Sequence, residues 1–129
     1  MHPTLVQAAS VALGASLGAL LRWRAGMRLG FVVAGFPLGT LAVNVVGGLL
    51  IGLALVWFRL HPEATNGRLF VVTGFLGGLT TFSSFSGESL LLLQSGQVPL
   101  ALVHSAAHLL GALAAVALGW WLGRLVFGG

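Results

Sequence analysis

The residues able to do chemistry are crowded into one stretch, Gly74-Phe-Leu-Gly-Gly-Leu-Thr-Thr-Phe-Ser-Ser-Phe-Ser-Gly-Glu88. It lies inside an apolar run, yet it is rich in glycines, hydroxyls and phenyl rings. Glu88 is the only formal charge between Arg68 and Arg124. Past Leu79, positions 81, 84 and 88 share one face of a helix, so Thr81, Ser84 and Glu88 form a polar stripe. Phe82 and Phe85 fall on the neighbouring face. A phenyl ring has a negative face and a positive edge. Ring edges beside hydroxyl donors therefore offer an anion a way to shed water without meeting a full positive charge. A bland alternative exists for the rings, since most membrane phenylalanines simply pack.

Other polar groups stand at matching depths. Asn44 follows Thr40 by one helical turn, in a stripe that continues to Gly47. Its amide suits an interhelical hydrogen bond, worth about 0.6–2 kcal/mol. Its two N–H donors also suit a pathway that replaces an anion's water. Glu88 is expensive at membrane depth and so reads as functional, either as a proton relay or as the watery end of a pathway. Arg22 reads as an attracting charge at a vestibule or as an interface anchor. His104 and His108 have the i, i+4 spacing of metal ligands, with Ser105 beside them. Zinc needs three or four ligands, and no third is evident in the sequence. His2 and His61 fall in end and loop regions, so the pair reads as polar lining or packing.

The elements that must hold these groups follow from composition. The 129-residue chain is 57% hydrophobic and only 6% charged, with a mean hydropathy of +1.04. Soluble domains carry about 25% charged residues, so this is an all-α integral membrane protein, read as one four-span domain over residues 1–129. Six arginines outweigh two acids, but they stand at the ends of apolar runs rather than on one face, which excludes a nucleic-acid binder. There is no cysteine, hence no disulfide and no thiolate metal site. The first apolar run lacks a basic leader and is expected to be retained.

Spans are expected at Leu5–Leu21, Leu38–Phe58, Leu69–Gln94 and Leu100–Leu122, with Arg22–Gly35 as a basic connector. The third would reach about 39 Å if helical throughout, against a hydrocarbon core of about 30 Å. The excess, with its glycines, predicts a break over Gly77–Thr81. Backbone outside a helix survives at that depth only where protein buries it or it lines a cavity. Trp23, Trp57, Trp120 and Trp121 fall near span ends, where an aromatic belt belongs. Each span carries a Gly-x-x-x-Gly pair: Gly14/Gly18, Gly48/Gly52, Gly74/Gly78 and Gly119/Gly123. Such pairs let helices approach closely in lipid.

These residues resemble the Fluc (CrcB-type) fluoride channel family. The resemblance covers the whole chain and is most specific in Gly-Phe-Leu-Gly-Gly-Leu-Thr-Thr-Phe-Ser-Ser-Phe-Ser. It implies a non-enzymatic, passive fluoride channel of the cytoplasmic membrane, built as an antiparallel, dual-topology homodimer with two pores. It further implies pore lining by Asn44, Phe82 and Phe85, with ring edges toward fluoride. Thr81, Ser84 and Glu88 would form a polar track, and Arg22 a vestibule charge. Backbone carbonyls of Gly77 and Thr80 from both copies would hold a central sodium ion. The fourth span departs from the family, which often places tyrosine and serine hydroxyls where this chain has His104, Ser105 and His108.

Two other classes compete. A small dual-topology proton-coupled exporter would use Glu88, the only titratable acid in a span. A structural subunit would explain the glycines but not the stripe of hydroxyls and rings.

Orientation can be counted. Four spans place Arg59, Arg68 and Arg124 on the side of the termini, and Arg22, Arg24 and Arg28 on the other. Orientation follows an excess of Lys and Arg on the cytoplasmic side, and here there is none. Insertion in both orientations is expected. A single cysteine replacing Gly129 should label about equally from either side of sealed membranes, whereas one-sided labelling would sink dual topology. Lysines added at the C-terminus should bias it to the cytoplasm.

Overall fold

The computed structural model describes residues 2–29, 32–33 and 35–128; Gly129, the labelling position, lies outside them. Four helical elements are each long and apolar enough to cross a membrane. The first is α1, Pro3–Leu29. A two-residue hairpin follows, β1 (Val32–Val33) and β2 (Phe36–Pro37), paired antiparallel. Gly35 supplies its turn with φ +84°, a left-handed conformation natural only to glycine. Next comes α2, Gly39–Leu60. The third element is composite: α3 (Thr65–Arg68), a π-helical segment Leu69–Leu76, α4 (Gly77–Leu79) and, after a break, α5 (Phe82–Gln94). The fourth is α6, Val98–Phe127, closed by Gly128 at φ +74°.

The first span is longer than the sequence suggests. Arg22–Leu29 continues α1 instead of forming a connector. Nothing in Arg-Trp-Arg-Ala-Gly-Met-Arg-Leu breaks a helix outright, and arginine stems can lie along apolar surface while their heads reach water. Likewise the break in the third element is narrower than the expected Gly77–Thr81. Gly77–Leu79 stays helical and only Thr80 and Thr81 are extended, at φ/ψ −88°/156° and −151°/122°.

The four glycine pairs mate two by two. Gly14 and Gly18 of α1 meet Gly74 and Gly78. A Cβ placed on Gly74 would stand 2.9 Å from the Gly14 Cα, and one on Gly78 would stand 2.5 Å from the Ala15 carbonyl. Gly48 and Gly52 of α2 meet α6. A Cβ on Gly52 would stand 2.6 Å from the Trp120 nitrogen, and one on Gly119 would stand 3.1 Å from the Gly52 Cα. In lipid, helix association depends on such close backbone packing, because the tails are as apolar as leucine. The core is accordingly small, centred on Val43, Ala54, Leu76 and Leu79. The large leucines of α1 and α6 mostly point outward, as helices facing lipid require.

Filling these seams should be costly. Gly52→Val should lower stability by about 1–3 kcal/mol or more through overpacking, read as an earlier loss of the native species on heating in detergent. Gly26→Ala, with nothing within 4 Å of its added methyl, should leave stability unchanged or slightly raised. Equal behaviour of the two variants would refute the seam.

Candidate functional site

The break between α4 and α5 frees backbone groups at membrane depth, and side chains from two other spans meet them. The Thr81 N–H donates to the Asn44 Oδ1 at 2.8 Å, and the Asn44 Nδ2 donates to the Thr81 carbonyl at 2.9 Å. One amide thus replaces a helical turn's pairing on both sides of a peptide residue. Arg22 donates from its Nε to the Gly78 carbonyl at 3.0 Å, so this arginine, expected at a vestibule or interface, also caps the end of α4. The Thr80 hydroxyl donates to the Leu76 carbonyl at 2.8 Å. Thr81 then starts α5 as its N-cap, its hydroxyl accepting the Ser84 N–H at 3.1 Å. Each bond satisfies a group that hydrocarbon would leave unpaired at a cost of several kcal/mol.

Beyond the break the polar stripe runs as expected and acquires partners. Thr40 of α2 donates its hydroxyl to the Glu88 carboxylate. The other carboxylate oxygen lies 3.2 Å from the His104 Nε2. His104 is fully buried, and its Nδ1 lies 2.9 Å from the Ser89 hydroxyl, which in turn lies 3.2 Å from Ser105. Ser89 is absent from the expected site. It lies one turn beyond Phe85, so extending the ring face along α5 would have found it. Glu88, Arg22, Thr40, Thr81 and Ser84 line a cavity of about 360 Å³. Arg22 and the stripe of Thr81, Ser84 and Glu88 thus border one cavity.

The rings stand where that stripe meets an open groove. Phe82 and Phe85 pack edge to face, with centroids 5.3 Å apart at 70°. Phe85 lies over the His108 ring at 4.6 Å and the His104 ring at 5.7 Å, nearly parallel to both. Stacking occupies a face of Phe85 and spares its edge. Phe82 is 79% exposed. Both rings, with Asn44, Gly77, Thr80 and His108, line a groove of about 630 Å³. Thr81 borders both the groove and the cavity of about 360 Å³, so the two meet at the break.

Space supplies the metal ligand missing from the sequence. Glu88, His104 and His108 each place a ligand-type atom within 4.8 Å of the others. This is the one group of three or more such side chains found among the described residues.

A broken membrane helix clasped by an asparagine, with a half-buried polar stripe between a groove and a second cavity, defines a small membrane protein with polar groups set inside its span region. Comparison with known proteins narrows the class. The family model described as CrcB-like protein, Camphor Resistance (CrcB), matches residues 9–120, and the chain belongs to that family. A relative from Acinetobacter baumannii is 48% identical over 85% of this chain and 87% of its own. One from Cupriavidus pinatubonensis is 48% identical over 91% of this chain and 94% of its own. One from Pseudomonas aeruginosa is 46% identical over 89% and 95%. All three bear the name fluoride-specific ion channel FluC, which makes this a family of ion channels and not of enzymes.

The cap at the break is testable by itself. Thr81→Val keeps the shape but removes the acceptor for the Ser84 N–H, and should cost about 1 kcal/mol. Thr81→Ser keeps the acceptor and should recover most of it. Thermal unfolding in detergent measures both, and a valine variant as stable as the parent would remove the cap from the account.

Proposed function

We propose that this chain is a passive fluoride channel of the cytoplasmic membrane, working as an antiparallel, dual-topology homodimer with two pores. The observation that carries the reading is the exposed Phe82 ring at the rim of the groove. A large ring held out beside a helix break, with polar groups of the same groove behind it, is half of a lined passage. A second copy, oppositely oriented, supplies the other half. A two-fold axis brings the same patch of each copy together.

In this reading fluoride passes from the groove to the vestibule along Phe82 and Phe85, the level of Asn44, and the Thr81–Ser84 stripe. It leaves past Thr40, Glu88 and Arg22, with His104, Ser105 and His108 forming the wall contributed by α6. Ring edges and hydroxyl donors replace water around the ion, and no fixed full charge traps it. Gly77 and Thr80 of both copies face the axis, where their carbonyls hold a structural sodium ion. Oxygen ligands suit such a hard cation. Dual topology is read from the balanced arginines, and the channel reading is supported by the relatives' name, fluoride-specific ion channel FluC.

The test is fluoride efflux from proteoliposomes with no proton gradient. Fast passive efflux is expected; flux that requires a proton gradient would replace the channel by an exporter acting through Glu88. Phe82→Ile and Phe85→Ile keep apolar bulk but lose the positive edge, and each should slow efflux at least about tenfold, or about 1.4 kcal/mol. Dimerisation should persist. Unchanged flux in both variants would reduce the rings to packing.

A further inference from the structure

The Asn44 amide has no freedom left in this fold. Its Oδ1 accepts from a backbone N–H, which can only donate, and its Nδ2 donates to a backbone carbonyl, which can only accept. These two Thr81 contacts fix which end of the amide is nitrogen, independently of each other. The second hydrogen of the Nδ2 is directed to the His108 Nδ1, 3.2 Å away. That ring nitrogen must therefore be the acceptor. In a neutral imidazole the proton then sits on the Nε2. An imidazolium would set a donor against a donor at the same 3.2 Å.

The consequence is a buried N–H without a partner. His108 is 4% exposed, and its Nε2 finds no hydrogen-bonding atom among the described residues. An unsatisfied buried donor is expensive and therefore rare. His108 also lines the groove beside Phe82 and Phe85.

Two occupants compete for this atom. A transition metal would use the triad of Glu88, His104 and His108. It needs imidazole lone pairs, and both are spent. The His108 Nδ1 lone pair takes the Asn44 N–H. The His104 Nε2, 3.2 Å from the Glu88 carboxylate, is its donor, which leaves the His104 Nδ1 lone pair to the Ser89 hydroxyl. An acceptor is what the free Nε2–H wants.

We propose that the donor this chain offers to the anion at the level of Asn44 is the Nε2–H of a neutral His108, and that Asn44 is the positioning residue that holds the proton there. The proposal rests on the fluoride-channel reading for the identity of the anion. It changes the role of Asn44, whose own N–H groups are consumed by Thr81 and His108. A neutral imidazole N–H is a strong donor without a fixed charge, so it strips water from the anion and still lets it go. The Nε2 has no free surface in the resting arrangement, so a side-chain shift accompanies arrival of the ion.

The test combines a spectroscopic and a transport measurement on the full chain. Nitrogen-15 NMR of the labelled protein, with His108 assigned by comparison with His108→Gln, should show a protonated Nε2 and an unprotonated Nδ1. Sodium fluoride should move the Nε2 resonance, and sodium chloride should not. The opposite tautomer, or a resonance indifferent to fluoride, overturns the proposal. Asn44→Ala should release the tautomer preference, which a merely structural asparagine would not do. In proteoliposomes His108→Gln, which keeps a donor, should retain clearly more efflux than His108→Leu. His108→Leu should lose about tenfold or more, the worth of one hydrogen bond to a charged partner. Equal efflux of the leucine variant overturns the proposal, and if that variant does not purify as the parent species the NMR arm decides. Zinc chloride added to the purified protein should not bind at these rings; zinc binding abolished by His108→Gln would assign the site to a metal instead. A parent protein with no passive fluoride flux overturns the channel reading and the anion's identity with it, whichever tautomer is found.

Discussion

The paired hydrogen bonds between Asn44 and Thr81 are what the rest of the fold depends on. A helix cannot stop in the middle of a membrane unless something takes its backbone groups, because no water is there to do so. The amide side chain presents the same donor and acceptor as a peptide group. It therefore substitutes for the turn that Thr80 and Thr81 do not make. Without the clasp, two extended residues at this depth would leave a donor and an acceptor unpaired. Continuing the helix would then be cheaper than breaking it. With the clasp, α5 restarts at a new phase, and Thr81, Ser84 and Glu88 turn toward α2 and α6.

The glycine seams make the clasp possible. Asn44 reaches Thr81 only because the helices lie close. Gly47, one turn from Thr40–Asn44, leaves the space into which the Thr80 methyl projects. The α1 seam acts from the other side: by holding Gly78 against Ala15, it brings the Gly78 carbonyl within reach of Arg22. One face of the broken element is thus tied to α1 by backbone contact, and the other is tied to α2 by a polar side chain. The π-helical turn at Leu69–Leu76 lies on the same limb, and such turns are frequent near functional sites.

Much of this was legible in the sequence because membrane constraints are strong and few. Hydropathy located four spans, and excess length with glycines located the break. Helical phase placed Thr81, Ser84 and Glu88 together, and the structure puts them around one cavity. Boundaries were less legible. Arg22–Leu29 looks like a connector by charge, yet arginine stems tolerate a helix that continues to the membrane edge. Contacts between distant spans were least legible. No periodicity says that Asn44 of α2 meets the backbone of Thr81, or that Glu88 completes a triad with two histidines of α6. Those facts depend on how the spans are arranged around each other, which local pattern does not encode. The glycine pairs announced close packing, but not which pair mates with which.

A polar path for an anion faces opposed demands: enough donors to replace water, and no charge deep enough to hold the ion. On the fluoride-channel reading proposed above, the arrangement here meets both by engaging its charged groups with the protein itself. Arg22 is engaged with the Gly78 carbonyl at the end of α4. The Glu88 carboxylate, which would repel an anion, is occupied by the Thr40 hydroxyl on one oxygen and faces His104 on the other. What remains along the groove is neutral: hydroxyls, ring edges and an imidazole N–H. Neutral donors bind an ion weakly and at several points, which is what conduction requires of a site that must also release it. His104 and His108 in the fourth span keep that neutrality. Each imidazole supplies one donor and one acceptor, and the acceptors are turned inward to Asn44 and Ser89. The histidines therefore read as donors built into the wall rather than as charges placed in it.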